Sequence, residues 1–259
     1  MKSTVLILLA LFCFGCTAEP DGSSKAPAAA APDRGGAVDA EHIKRDAAPF
    51  RKDHVRFTVT ENGGAPEVTE IDVWRRQSGD VTTTLSVMTK PVEDAGTGSL
   101  TIEEKGKPSV IVTYAASRGE FRETDTGKMF IGGLTAQELI GEWDKYDYRL
   151  IAETPDGSEV EGKLKEGERS AIAVTRVVFD RQNYLPVKME LFDNAGRKLR
   201  SYGVPEIRTA DGRPYIGKTV VTNYVYGSEI TIEIVSREYP AALDDSLFTR
   251  ERLKLTARK

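Results

Sequence analysis

The chain has 259 residues, 39% of them hydrophobic and 29% charged, with 36 Lys+Arg against 40 Asp+Glu and a formal net charge of -4. That composition suits one soluble globular domain of ordinary polarity and excludes a collagen, a coiled coil and a polytopic membrane protein. The near balance of charge offers no basic field to nucleic acid. Both cysteines, Cys13 and Cys16, lie in the first sixteen residues, so the folded part is expected to carry no disulfide and no Cys-based zinc site.

Lys2 precedes the apolar run Val5 to Phe12, which leads into Cys13-Phe14-Gly15-Cys16. The run is too short to span a bilayer and has the basic, apolar, small-residue order of a secretory signal, here residues 1–15. Gly15-Cys16 resembles the lipobox of bacterial lipoproteins, in which the cysteine takes up diacylglycerol and becomes the new N-terminus. That resemblance implies Cys16 as the lipidation site, although Cys13 and Phe14 replace the Leu and the smaller residue that the family usually has. Residues 16–50 are rich in Ala and Pro and hold almost no large apolar residue before Ile43, which predicts a flexible tether. Two or three acyl chains, at roughly 0.8 kcal/mol per buried methylene, make a durable anchor. In lipoproteins of this kind an Asp after the cysteine favours the inner membrane; Thr17 stands there, which implies the outer membrane, facing the periplasm.

Val38, Ile43, Ala47 and Phe50 among charged neighbours pattern a short amphipathic helix within residues 38–53, with His42 and His54 as surface residues. Beyond residue 51, where the globular domain (51–259) is expected to begin, the period changes to two. Val55, Phe57 and Val59 alternate with Arg56 and Thr58, and Glu61-Asn62-Gly63-Gly64 supplies a turn that tolerates positive φ. Ile71 and Val73, Leu85 and Val87, Leu100 and Ile102, then Val110, Val112 and Tyr114 continue the pattern. In the second half, turns at Pro155-Asp156-Gly157, Asp193 to Gly196 and Ala210-Asp211-Gly212 separate Val174 to Phe179, Val187-Met189-Leu191 and Ile230-Ile232-Ile234. About ten or eleven antiparallel strands result, a mainly β fold built as a barrel or a large curved sheet.

One interval breaks the alternation. Residues 132–143 place Leu134, Leu139, Ile140 and Trp143 at roughly helical spacing, and Thr135 with Glu138 has the spacing of a capping box. The expectation is a short helix that serves either as a plug for the open side of the sheet or as a lid over an apolar concavity.

No Gly-x-Ser-x-Gly elbow, phosphate loop, HExxH or EF-hand pattern occurs. Two histidines and no thiol in the mature domain leave no nucleophile–base pair to assemble. The acidic pairs Glu93-Asp94, Glu103-Glu104 and Asp244-Asp245 sit in or beside turns, where carboxylates are ordinarily solvated. No enzyme, metal or cofactor is expected.

The order of segments resembles the outer-membrane lipoprotein-sorting family, the LolA-like proteins. The residues that carry it are Pro91 with Ala95-Gly96-Thr97-Gly98, the strand ending in Tyr114, the Arg118 to Arg122 hairpin, and Phe130-Ile131-Gly132-Gly133-Leu134-Thr135 with Glu138-Leu139. Tyr146 to Leu150, Phe179 to Lys188, Phe192 to Lys198, Asp211-Gly212-Arg213 and Leu247-Phe248-Thr249 with Leu253 extend it, so that it covers about residues 54–253. Two departures stand out: the family's N-terminal helix is weak here, and a lipid anchor appears where soluble shuttles have none. A further one is Phe-Ile-Gly-Gly in place of Phe-Met-Gly.

The resemblance implies an incomplete antiparallel β-barrel with a short helical lid, LolA/LolB-like, around an apolar hollow that takes lipid or lipoprotein acyl chains. Some family members are associated with envelope transporters of the resistance-nodulation-division (RND) type. The expected lining comes from Phe57 and Val59, Ile71 and Val73, Leu85 and Val87, and Leu100 and Ile102 in the first half. Met189 and Leu191 with Ile230, Ile232 and Ile234 line it in the second, and Leu134, Leu139 and Ile140 close it from above. The alternative is an anchored interaction module that docks on an RND-type transporter without carrying cargo.

Overall fold

In the computed structural model, described for residues 48–104, 107, 109–124, 129–131, 134–135, 145–154 and 157–256, the period-two segments become long antiparallel strands. The signal, Cys16, the tether up to residue 47, and residues 132–133 and 136–143 of the expected helix, Leu139 and Ile140 among them, lie outside the described residues. The strands are β1 (Phe50–Glu61), β2 (Glu67–Ser78), β3 (Val81–Lys90), β4 (Gly98–Glu104), β5 (Val110–Ala115), β6 (Glu120–Thr124), β7 (Met129–Ile131) and β8 (Leu134–Thr135). There follow β9 (Tyr146–Thr154), β10 (Gly157–Leu164), β11 (Val174–Asp180), β12 (Pro186–Phe192), β13 (Lys198–Ala210), β14 (Arg213–Asn223) and β15 (Ser228–Glu238), then one helix, α1 (Arg250–Thr256).

Thirteen strands form one sheet in the order β6-β5-β4-β3-β2-β1-β15-β14-β13-β12-β11-β10-β9, and β7 and β8 form a separate hairpin. Alternation counted ten or eleven, because β9, β13 and β14 mix polar residues into both phases. The sheet is two meanders, β1–β6 and β9–β15, joined where β1 pairs antiparallel with β15. It is not closed: β6 and β9 are its edges. An open sheet of this width ordinarily curls rather than staying flat, and bulges assist the bend, with Val235 the extra residue of β15 opposite His54–Val55 and further irregularities where β13 meets β14 between Gly203 and Ile207.

The predicted hairpin turns form for the expected reason. Asn62 and Gly63 have φ of 48° and 71°, and Asp211 and Gly212 have 49° and 73°, the left-handed conformation that a tight hairpin requires. The expected helix within 38–53 is overturned for its C-terminal end, since Phe50 already opens β1. Strand periodicity was hidden there because the inward-facing residues Arg51 and Asp53 are charged, at 3% and 1% exposed.

Both faces of the sheet are covered, by different partners. One face collects Val55, Phe57, Ile71, Val73, Met88, Ile111, Leu191, Tyr202, Tyr215, Val221, Ile230, Ile232 and Ile234 into a single cluster together with Leu134 of the β7–β8 hairpin. This is the concave face. On the opposite face Leu85, Val87, Leu100 and Tyr114 pack with Phe248 and Leu253 from the C-terminal turn and α1. Gly98 is required at that contact, because a Cβ there would lie 2.6 Å from the Ser86 carbonyl oxygen and 3.1 Å from Leu253 Cδ2. The β14–β15 hairpin ends in Tyr224, Val225 and Tyr226, exposed by 53%, 56% and 47%, while buried Asn223 accepts hydrogen bonds from the N–H groups of Val225 and Tyr226 through Oδ1.

A cross-strand row of alternating charge runs over the convex face. In register it reads Lys90, Glu70, Arg56, Glu233, Lys218, Glu206, one residue from each of β3, β2, β1, β15, β14 and β13. Glu70 Oε2 lies 2.9 Å from Lys90 Nζ, Arg56 Nε donates to Glu70 Oε1 at 2.9 Å, and Arg208 joins Glu206 to Glu233. His54, expected at the surface, instead sits half-buried beside this row with Nδ1 2.8 Å from Asp72 Oδ1 and Nε2 3.5 Å from Glu70 Oε2. The Lys90 ammonium, then the Arg56 guanidinium, hold the Glu70 carboxyl down at about 2 against its ordinary 4.5. A carboxylate with a depressed folded-state value stabilises fully above its unfolded value and loses that contribution as pH falls through the folded one. Urea titrations of wild type and Glu70→Gln are therefore expected to differ most above pH 4.5 and to converge toward pH 2.

Candidate functional site

Which residues each strand contributes to the concave cluster follows from register. Val55 pairs with Ile71 and Ile234, Phe57 with Ile232, and Val59 with Ile230. On the far side Val221 pairs with Ile230 and Tyr202, Tyr202 with Met189, and Arg200 with Leu191. The structure thus brings together Phe57, Val59, Ile71, Val73, Met189, Leu191, Ile230, Ile232, Ile234 and Leu134 of the expected lining. Leu134 is fully buried in this cluster, but as part of β8 and not as the start of a helix.

Leu85, Val87, Leu100 and Ile102 are corrected. Val73 pairs with Ser86 and Trp74 with Leu85, so Leu85, Val87 and Leu100 face the convex side under α1, and Ile102 is 39% exposed there. The physical reason is that β3 is buried on both faces, and alternation alone does not say which phase joins the concave cluster.

Val55, Met88, Ile111, Tyr202, Tyr215 and Val221 of the concave cluster were missed. Period two does mark Val55 and Val221, whereas Met88 and Ile111 occupy the phase that a two-sided strand conceals.

The concave face has a second, polar half. Two rows run outward from the centre: Asp53, Val73, Ser86, Ser99, Thr113, and beside it Arg51, Arg75, Thr84, Thr101, Ile111. All ten are buried. Asp53 lies between two guanidinium groups. Arg237 donates to both of its carboxylate oxygens, Nε to Oδ1 at 2.7 Å and Nη2 to Oδ2 at 2.9 Å, and Arg51 Nε stands 3.0 Å from Oδ2. Arg237 also stacks on Tyr215, 4.6 Å from the ring centroid. Arg75, 1% exposed, donates Nη1 to the Ala48 carbonyl at 3.4 Å and Nη2 to Gln77 Oε1 at 3.1 Å.

The carboxylates are engaged structurally. Buried Glu161 is bridged by Arg149 at 2.7 Å and Arg176 at 3.2 Å, and Asp244 Oδ1 accepts from the Ser246 N–H at 2.9 Å. Among the described residues no group of three or more His, Cys, Asp or Glu is placed to hold a metal ion, and no helix is long and apolar enough to cross a membrane. The arrangement is a broad apolar cluster, its buried members 0–8% exposed, flanked by buried hydroxyls and guanidinium groups.

The open antiparallel sheet is a fold shared with solved structures of low sequence identity. A domain described as an outer-membrane lipoprotein-sorting protein from Vibrio parahaemolyticus superposes with a TM-score of 0.71 at 16% identity, covering 81% of this chain and 93% of that one. A LolA superfamily protein from Nitrosomonas europaea gives 0.62 at 13% identity, over 82% and 96%. A DUF1329 family protein from Desulfovibrio piger gives 0.73 at 16% identity, over 80% and 92%. By sequence, a family model described as an uncharacterized protein matches residues 80–255, and the chain belongs to that family. No curated protein matches it by sequence.

Asp53→Ala leaves Arg51 and Arg237 facing each other without their shared counter-charge. A loss of about 3–5 kcal/mol in unfolding free energy is expected. Lys52→Ala, which removes the exposed Lys52–Glu238 pair at 3.4 Å, should cost below about 1 kcal/mol in the same urea titration.

Proposed function

We propose that this protein is a cell-envelope carrier or receptor that binds lipid or lipoprotein acyl chains against the apolar half of its concave face. The observation that carries this is the breadth of that face. Apolar side chains from β1, β2, β12, β14 and β15 converge on one cluster, on a fold shared with lipoprotein-sorting domains. Each methylene moved from water onto it contributes about 0.8 kcal/mol, so recognition of a chain needs area more than polar specificity. The engagement of the buried carboxylates in structural ion pairs supports a binding role and not an enzymatic one.

In this reading residues 1–15 direct export, Cys16 carries the acyl chains, and residues 16–50 let the domain stand off the outer membrane within the periplasm. Leu139 and Ile140 belong to the cover of the hollow. A second reading, an interaction module that docks on an RND-type transporter, is favoured by the exposed Tyr224-Val225-Tyr226 tip, an apolar projection that the acyl-binding face does not use.

Native mass spectrometry of protein purified from the envelope is expected to show copurifying lipid, and a fluorescent fatty acid should bind with loss on Ile232→Asp, whose side chain is 3% exposed. No lipid and no fluorescent binding would leave the docking module as the better account. For the anchor, a palmitate analogue should label wild type but not Cys16→Ser, and the variant should move to the periplasmic fraction. A membrane-bound Cys16→Ser protein would show that Cys16 is not the anchor.

A further inference from the structure

One end of the sheet carries an apolar projection that neither core cluster uses. At the tip of the β14–β15 hairpin Tyr224, Val225 and Tyr226 stand in sequence, and all three are about half exposed. Surface apolar residues are ordinarily scattered singly, so three in a row on a projecting turn need an account. The backbone beneath them is prepared for a medium poor in water. The Val225 and Tyr226 N–H groups donate to Asn223 Oδ1, 3.1 and 3.3 Å away, and the Asn223 side chain is fully buried. The Tyr224 N–H donates to the Leu199 carbonyl at 3.0 Å, and the Gly227 carbonyl accepts from the Asn62 N–H at 2.9 Å. Each N–H of the three exposed residues is thus satisfied within the protein. In water the solvent would serve them; in an apolar medium an unpaired one is costly.

We propose that the Tyr224–Tyr226 tip is a membrane contact that enters the interfacial layer of a phospholipid bilayer. Tyrosine suits that depth, because its ring is apolar while its hydroxyl stays with water and head groups. A stable protein partner would need a broader surface, roughly twenty residues a side. The tip is instead bordered at once by polar, exposed residues: Glu61 and Asn62 of the adjoining turn, Glu229, and Lys198 beside Leu199. A fluid bilayer requires no such complementary patch. Three side chains hold a bilayer weakly by themselves, so the contact is populated once the chain is already kept near the surface, where the effective concentration is high. In this respect it rests on the Cys16 anchor of the function proposed above. Residues 16–49 stretch at most about 110–120 Å. The tip lies about 40 Å from the point where the chain enters β1, so an anchored chain can bring its far end down onto the same membrane.

The test places the polarity-sensitive fluorophore nitrobenzoxadiazole on Val225→Cys and, at the opposite end of the sheet, on Ser78→Cys. Each full chain is purified from the envelope and reconstituted on vesicles of phosphatidylethanolamine and phosphatidylglycerol. Flotation with the vesicles reports the anchor and the label reports the tip, so the two fail separately. In protein that floats, emission of the label at 225 is expected to shift to the blue and to be quenched by a nitroxide on the lipid chains, while the label at 78 stays wet. Adding Tyr224→Ser and Tyr226→Ser should lower the ratio of immersed to free label about tenfold or more. A 225 label as wet as the 78 label on floating protein overturns the membrane contact and leaves the tip to a protein partner. Immersion that persists undiminished without the two tyrosines also overturns it, since the label would then be inserting itself. If the protein does not float, the Cys16 anchor is wrong. An N-terminal hexahistidine on the Cys13→Ser, Cys16→Ser chain then holds it to nickel-chelating lipid in the same vesicles, and the same comparison of the two labels decides.

Discussion

The structure depends on one register, that of β1 against β15. Each meander is assembled from local hairpins, but they become one sheet only through pairs such as Lys52 with Glu238, 186 residues apart. The charge row fixes that register from outside. Arg56 lies between Glu70 and Glu233, and each neighbour along six strands has the opposite sign. A one-residue slip of β1 would move Arg56 to the concave side, expose Val55 and Phe57, and present Arg51 to the solvent face. The buried Asp53–Arg237 pair locks the same register from within. Convex and concave faces thus specify one alignment by independent means, and a curved face assembled from two halves of the chain is the result.

Two-sided burial divides labour along the sheet. Under β1, β15 and β14 the convex side is polar and the concave side largely apolar, so the core of that half lies on the concave side. At β3 to β5 the core shifts to the convex side, where Leu85, Val87 and Leu100 meet Phe248 and Leu253. The inward positions of those strands are buried as well, with Met88 and Ile111 in the concave cluster and Thr or Ser at most of the others.

How much of this was legible in the sequence follows from what periodicity measures. The alternation of Val55, Phe57 and Val59, the Asn62-Gly63 and Asp211-Gly212 turns and the Ile230-Ile232-Ile234 run specified strands and turns that exist as read. The mainly β class and the concave placement of ten of the expected lining residues came from the same source. The phase of β3 and β4 did not, because a strand apolar on one face and Thr/Ser-rich on the other is ambiguous until its neighbours are known. Nor did the start of β1, where Arg51 and Asp53 face inward. Charged pairs that satisfy each other across 184 residues leave no local trace, and the partner of Asp53 is visible only once β15 lies beside β1.

The central position of β1 has a mechanical consequence. The strand enters the sheet at Phe50 and leaves at Glu61, beside Gly227 under the Tyr224–Tyr226 tip, twelve residues or about 40 Å away. Tension applied through the chain upstream of Ala48 acts along the strand axis and loads the ladders to β2 and β15 together, in shear. Bonds loaded in that way share the force, whereas an edge strand pulled sideways gives up one bond at a time. A chain held from its N-terminal side is thus gripped at the part of the sheet best able to resist being drawn out, with the aromatic tip at the far end of the lever.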